Sequence, residues 1–101
     1  MDYKFEWDEE KNESNKLKHR ISFEQATAVF EDPGIIIIYD ADHSEDADRF
    51  IAIGFDLKER HLAVCHCLRQ NNDVIRIISV RFATKNERKL YREENKIYYE
   101  N

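Results

Sequence analysis

Arg76-Ile77-Ile78-Ser79-Val80-Arg81 puts two guanidinium groups inside an apolar, strand-like run. A guanidinium withdrawn from water is costly unless an acid or an anion meets it. The run continues through Phe82-Ala83 into Thr84-Lys85-Asn86-Glu87-Arg88-Lys89-Leu90-Tyr91, which reads as a capped, basic helix. Strand arginines feeding a basic helix suit a phosphate ligand, which arginine meets with paired N–H donors. Suppose the last hairpin closes through two residues, Asn71-Asn72. Arg69 then opposes Val74, Cys67 opposes Arg76, and Arg69 and Arg76 become diagonal neighbours on one face. Arg81 has the opposite parity and joins that face only if a bulge intervenes. The competing use of these arginines is structural, as ion pairs with the acids of residues 40–48.

Lys18-His19-Arg20 is a second cluster. Cations there complement a helix C-terminus, and His19 is also suited to shuttling a proton while Lys18 or Arg20 meets phosphate. His43 reads as a hydrogen-bonded loop residue. His61 and His66 fall on opposite faces of one strand. Cys65 and Cys67 share a face, so a disulfide between them is strained, and no second ligand pair at finger-like spacing points to a metal. They read as reduced, buried thiols. Tyr91 reads as core or surface, Trp7 with Phe5 as core sealing or a partner surface, and Tyr98-Tyr99 as a frayed tail or a docking element.

These residues need a scaffold. Tyr3–Trp7 alternates like a short opening strand. Asp8 caps a helix over Glu9–His19, acidic in its first turn and basic in its last. Ser22-Phe23-Glu24-Gln25 is a capping box that starts a second helix through Phe30, with Phe23, Ala26, Val29 and Phe30 inward, stopped by Asp32-Pro33-Gly34. Ile35–Tyr39, Arg49–Phe55, His61–Arg69 and Val74–Phe82 read as strands, the last three an antiparallel meander with turns at Asp56–Arg60 and Gln70–Asp73. Thr84 caps a final helix to about Asn95. The pattern predicts an α+β fold: about four antiparallel strands against two N-terminal helices and one C-terminal helix, packed mainly on one face.

The 101 residues form one expected domain, 1–101, with 42% hydrophobic content and a mean hydropathy of −0.77, a soluble globular composition. No apolar run approaches the ~20 residues of a membrane span. Met1-Asp2-Tyr3-Lys4 lacks the regions of a signal peptide, so a cytoplasmic location is expected. The net charge of −5 is unevenly spread. Residues 24–59 hold ten acids against Arg49 and Lys58, a balance of −8. Residues 60–92 hold eight bases against Asp73 and Glu87, a balance of +6. Such asymmetry suggests one face for an anion and another for a basic partner.

One family shares these residues in order: Phe5-Glu6-Trp7-Asp8 with Lys11 and Asn15, Lys18-His19, Ser22-Phe23-Glu24-Gln25-Ala26 with Val29-Phe30, Asp40, His43-Ser44 and Asp46 with Arg49, Ile53-Gly54, Arg69, and Arg76 through Arg81 with Ala83-Thr84-Lys85, Glu87-Arg88 and Tyr91. Over roughly residues 5 to 92 the chain resembles the BrnT family of type II toxins, whose fold is RelE-like. The resemblance implies a bacterial ribonuclease toxin that inhibits translation by metal-independent RNA cleavage, the 2′-hydroxyl attacking the adjacent phosphodiester without a cofactor. It implies a BrnA-type antitoxin partner, with operator DNA met only through that antitoxin. Carried onto this chain, the implied catalytic set is Arg69, Arg76, Arg81, His19 and Lys18, with Lys85, Arg88 and Arg20 as RNA contacts. Four features depart from the pattern: Arg20 where the family has glycine, one extra residue between Arg69 and Arg76, Cys65-His66-Cys67, and the net acidity. Two other classes stay open, an inactive homologue kept as an antitoxin-binding co-repressor and a structural adaptor without RNA contact.

Overall fold

Helix starts in this chain are set by side chains that satisfy backbone donors. The computed structural model describes residues 3–96. After β1 (Lys4–Glu6), the Asp8 carboxylate accepts the Glu10 N–H at 2.9 Å and opens α1 (Glu9–His19). Arg20 ends that helix in the left-handed region, φ 62°, with its N–H on the Lys16 carbonyl. Ser22 and Gln25 complete the expected capping box, but α2 spans only Phe23–Ala26 before the chain tightens into a 3₁₀ helix, Thr27–Glu31. Thr27 Oγ1 donates to the Glu24 carbonyl at 2.7 Å, a local bond that competes with regular helix. Phe23, Ala26, Val29 and Phe30 are all buried, as their spacing predicts.

The strands are β2 (Ile36–Tyr39), β3 (Phe50–Phe55), β4 (His61–Arg69) and β5 (Val74–Phe82), followed by α3 (Lys85–Glu94). Two corrections follow. The sheet has five strands, not four, in the order β1-β5-β4-β3-β2, and it is mixed, because β1 pairs parallel to β5. The helices also divide between its faces. Ile21, Phe23, Ala26, Val29 and Phe30 pack on Ala52, Leu62, Val64, Ile77 and Val80. Tyr91 of α3 packs on Ile53 and Ala83, beneath the other face, with Ile51 and Phe55 around them. Side chains alternate along a strand, so Ala52 and Ile53 point into different clusters. Burying a residue such as Phe23 stabilises the fold by about 1.5–3 kcal/mol.

Asn15 substitutes for a missing strand. Beyond the short β1, the edge of β5 is free, and the Asn15 amide fills it. Its Oδ1 accepts the Val80 N–H at 3.1 Å and its Nδ2 donates to the Val80 carbonyl at 2.9 Å and to the Ile21 carbonyl at 3.0 Å. That bracket holds α1 along the edge of β5, next to the arginines.

Candidate functional site

The β4–β5 hairpin turns over residues 70–73 rather than through Asn71-Asn72 alone: Gln70, Asn71 and Asn72 all carry positive φ, 52°, 57° and 71°, and Asp73 N–H reaches the Gln70 carbonyl at 3.1 Å, which leaves the expected register unchanged. Arg69 opposes Val74 and Cys67 opposes Arg76, so Arg69 and Arg76 share a face. Further along, Cys65 pairs with Ser79 but His66 pairs with Ile77, leaving Ile78 without an opposite residue. One extra residue inverts the parity of everything after it. Arg81 therefore opposes Ala63 and lies on the face of Cys65, Cys67 and Arg76.

Two hollows lie on this side of the molecule. One, of about 440 Å³, is lined by Lys11, His43, Arg49, Arg69 and Arg76, with Asp42, Glu45 and Asp46 facing the cations. The other, of about 410 Å³, is lined by Lys11, Ser14, Lys18, His19, Ser79 and Arg81. Lys11 and Ile78 border both, so the two form one groove passing the bulge. Arg20 lines a different hollow with Lys16, Leu17 and Glu24. Lys85 lies exposed in the first turn of α3, and Arg88 donates to the Ala83 carbonyl at 2.8 Å. Neither lines the groove.

Arg76 and Arg81 do meet carboxylates, though not those of residues 40–48. Arg76 Nη1 donates to Glu6 at 2.6 Å, across the β1–β5 pairing. Both side chains are about one-third exposed, 31% and 35%. The pair is therefore screened and contributes about 1 kcal/mol or less. Among the described residues no other side chain engages that guanidinium, so Nε and Nη2 remain available. Arg81 is more committed: Nη1 and Nη2 hold both oxygens of Glu87, at 2.6 and 3.0 Å. Burial pushes Glu87 up, but the hydrogen bonds from Arg81 and Thr84 outweigh it and hold the carboxyl below the usual range. The same contact with Glu87 raises Arg81 further, against burial. Glu87 also closes the α3 capping box by accepting the Thr84 N–H at 2.9 Å.

Arg49 and Lys11 were not singled out from spacing as site residues, although both line the groove. Lys11, Ser14 and Lys18 recur at helical spacing along one stripe of α1, a signal present in the sequence. Arg49 shares parity with Ile51 and Ile53, which puts it on the same sheet face. Ser44 positions it: its Oγ accepts the Arg49 N–H at 2.9 Å and donates to the Asp40 carbonyl at 2.6 Å. His43 bonds the Asp40 carboxylate at 2.9 Å through Nδ1. His66 is a core residue, its Nδ1–H on the Val64 carbonyl, and His61 stacks on Phe55 under α3. Both cysteines are free. Burial, then the nearby Asp40 charge, raises the Cys65 thiol. Among the described residues no three His, Cys, Asp or Glu side chains converge to hold a metal. Tyr98-Tyr99 lie outside the described residues.

Residues 7–87 match the family model described as the ribonuclease toxin BrnT of type II toxin-antitoxin systems. The chain belongs to the BrnT family. A crystal structure of the BrnT ribonuclease toxin of Brucella abortus has the same fold, with a TM-score of 0.64 at 24% identity, over 83% of this chain and all of that one. A comparison with curated protein sequences finds no match. Membership makes this BrnT chain a ribonuclease toxin of a type II system, a class that works with an antitoxin. No helix among the described residues is long and apolar enough to cross a membrane.

Proposed function

We propose that this BrnT chain cleaves RNA in the groove beside Ile78 without a metal ion. Arg69, Arg76 and Arg81 hold the scissile phosphate and stabilise the charge that grows on its oxygens. The 2′-hydroxyl attacks phosphorus, its proton passing to His19 or to water held beside Lys18. The P–O5′ bond breaks, the 5′-oxygen takes a proton, and a 2′,3′-cyclic phosphate remains. Arg20, Lys85 and Arg88 meet flanking phosphates outside the groove. The protein acts in the cytoplasm, where loss of RNA inhibits translation. A BrnA-type antitoxin neutralises it and links it to operator DNA.

The observation that carries this reading is the unpaired Ile78, which turns Arg81 onto the side of Arg69 and Arg76. Guanidinium donors left open on Arg76 supply what a metal otherwise would, fixed positive charge at the phosphorane. The co-repressor reading draws on a different fact, the double grip of Glu87 on both terminal nitrogens of Arg81. Incubation of purified protein with RNA in EDTA, beside Arg76→Ala, tests the proposal. Cleavage to cyclic-phosphate ends by the parent and none by the variant is the expected result. Equal cleavage by the variant refutes the assignment, and dependence on added divalent ions refutes the metal-free route.

A further inference from the structure

The sheet face opposite the arginines is not covered along its whole length. Near β2 it leaves a groove of about 270 Å³ lined by Tyr3, Phe30, Ile37, Phe50, Leu68 and Ile75. Ile37 and Tyr39 are each 54% exposed and Leu68 41%. β2 is also an outer strand of the sheet, and Ile36-Ile37-Ile38-Tyr39 carries no charge and no proline. Natural edge strands are normally blunted by such residues, so an unblunted one marks a surface that pairs.

The rim tells what pairs with it. Asp73 lines the groove, and Tyr39, packed edge-on against its Phe50, donates through its OH to Asp48 at 3.1 Å. No lysine or arginine lines it. RNA is a poor fit to aliphatic walls with acids beside them. A second copy of a chain carrying −5 brings like charges together. A protein segment alternating apolar and basic side chains satisfies both walls and rim.

We infer that such a segment of the antitoxin docks here, lying on the sheet face beside the outer strand β2 and placing apolar side chains between Ile37, Phe50 and Leu68. The inference rests on the antitoxin partnership of the family. Leu68 lies between Cys67 and Arg69 on β4, so the groove and the cationic side stand back to back across one strand. Binding and cleavage are thus separable by substitution.

The test measures the affinity of the purified antitoxin encoded beside this chain for three forms of the full protein. These are the parent, Ile37→Asp, and the double variant Asp48→Lys with Asp73→Lys, each also assayed for RNA cleavage and thermal midpoint. Both variants are expected to bind at least tenfold more weakly with cleavage and midpoint retained, and the charge reversal also to flatten the salt dependence. Parent-like affinity in both variants overturns the docking site while leaving the partnership intact. No binding by the parent overturns the partnership itself. A parent dimer that Ile37→Asp dissociates assigns the groove to a second copy and likewise overturns the inference.

Discussion

Arg81 grips both carboxylate oxygens of Glu87, at 2.6 and 3.0 Å, and so ties the end of β5 to the first turn of α3. Glu87 caps the helix and restrains the arginine at once. Because its folded pKa lies below the unfolded value of about 4.3, the unfolded state binds the proton first. The stability from this contact is therefore full above about pH 4.3 and lost as pH falls through the folded value. Glu87→Gln should lie below the parent by about 1–2 kcal/mol at neutral pH, with the gap closing in acid, measured by urea unfolding from pH 3 to 7.

The arginines should not be equal. Arg76 spends one nitrogen on Glu6, whereas Arg81 spends two on Glu87. In RNA cleavage assays Arg76→Ala should cost at least 100-fold in kcat/KM, on the order of the loss of one charge-stabilising donor group. Arg81→Ala should cost less, and should lower stability more than Arg76→Ala does.

Asn15 is predicted to be a structural hot spot despite being polar and helical. Asn15→Ala leaves the Val80 N–H and the Val80 and Ile21 carbonyls without their partner. Unsatisfied buried groups cost about 1–3 kcal/mol each, only partly relieved by water, so a loss of roughly 2–4 kcal/mol is expected in denaturant titration.

Gly54 has a packing reason to lack a side chain. An added Cβ would lie 2.9 Å from Asp32 Oδ2 and 3.2 Å from Val29 Cγ1. That carboxylate oxygen already accepts Tyr91 OH and the Phe55 N–H, both at 2.8 Å, joining α3 to β3. Gly54→Ala should therefore lower stability by about 1–3 kcal/mol, visible as a lower thermal midpoint.

Two histidines make the fold sensitive to mild acid. Burial lowers both His61 and His66; the Arg88 charge lowers His61 further, while the Val64 carbonyl partly offsets the shift at His66. Unfolded histidine titrates near pH 6.5, so stability should fall as pH drops below about 6.5, at up to about 1.4 kcal/mol per pH unit for each group. His61→Phe should flatten that slope in unfolding experiments between pH 5 and 7.

Local signals were legible in the sequence and distant ones were not. Asp8, Ser22 and Thr84 announced their helices because a cap and its donor lie within three residues. β4 and β5 ran over the residues expected, since the turn over residues 70–73 fixes their register. The parallel docking of β1 depends on a partner far along the chain, and three residues carry too little pattern to choose an edge. Which face α3 covers is equally non-local; it follows from Asp32, Tyr91 and Ile53 meeting in space. In the groove, Arg69 with Arg76 followed from the hairpin, while Arg81 waited on the bulge at Ile78. The stripe of Lys11 on α1 was visible in the sequence, but its place in the groove waited on α1 lying along β5, and that of Arg49 on the pairing of β3 with β4.

The parallel strand also sets when this surface can exist. Glu6 and Arg76 are 70 residues apart, and β1 has no strand to join until β5 has been made. Synthesis at about 5–20 residues per second separates the two by roughly 4–14 s. A chain still emerging from the ribosome carries the lysines of the α1 segment but not the arginine wall that faces them. Whatever the finished molecule grips there, the half-made one passes by, and contacts this far apart make closure the slow part of folding.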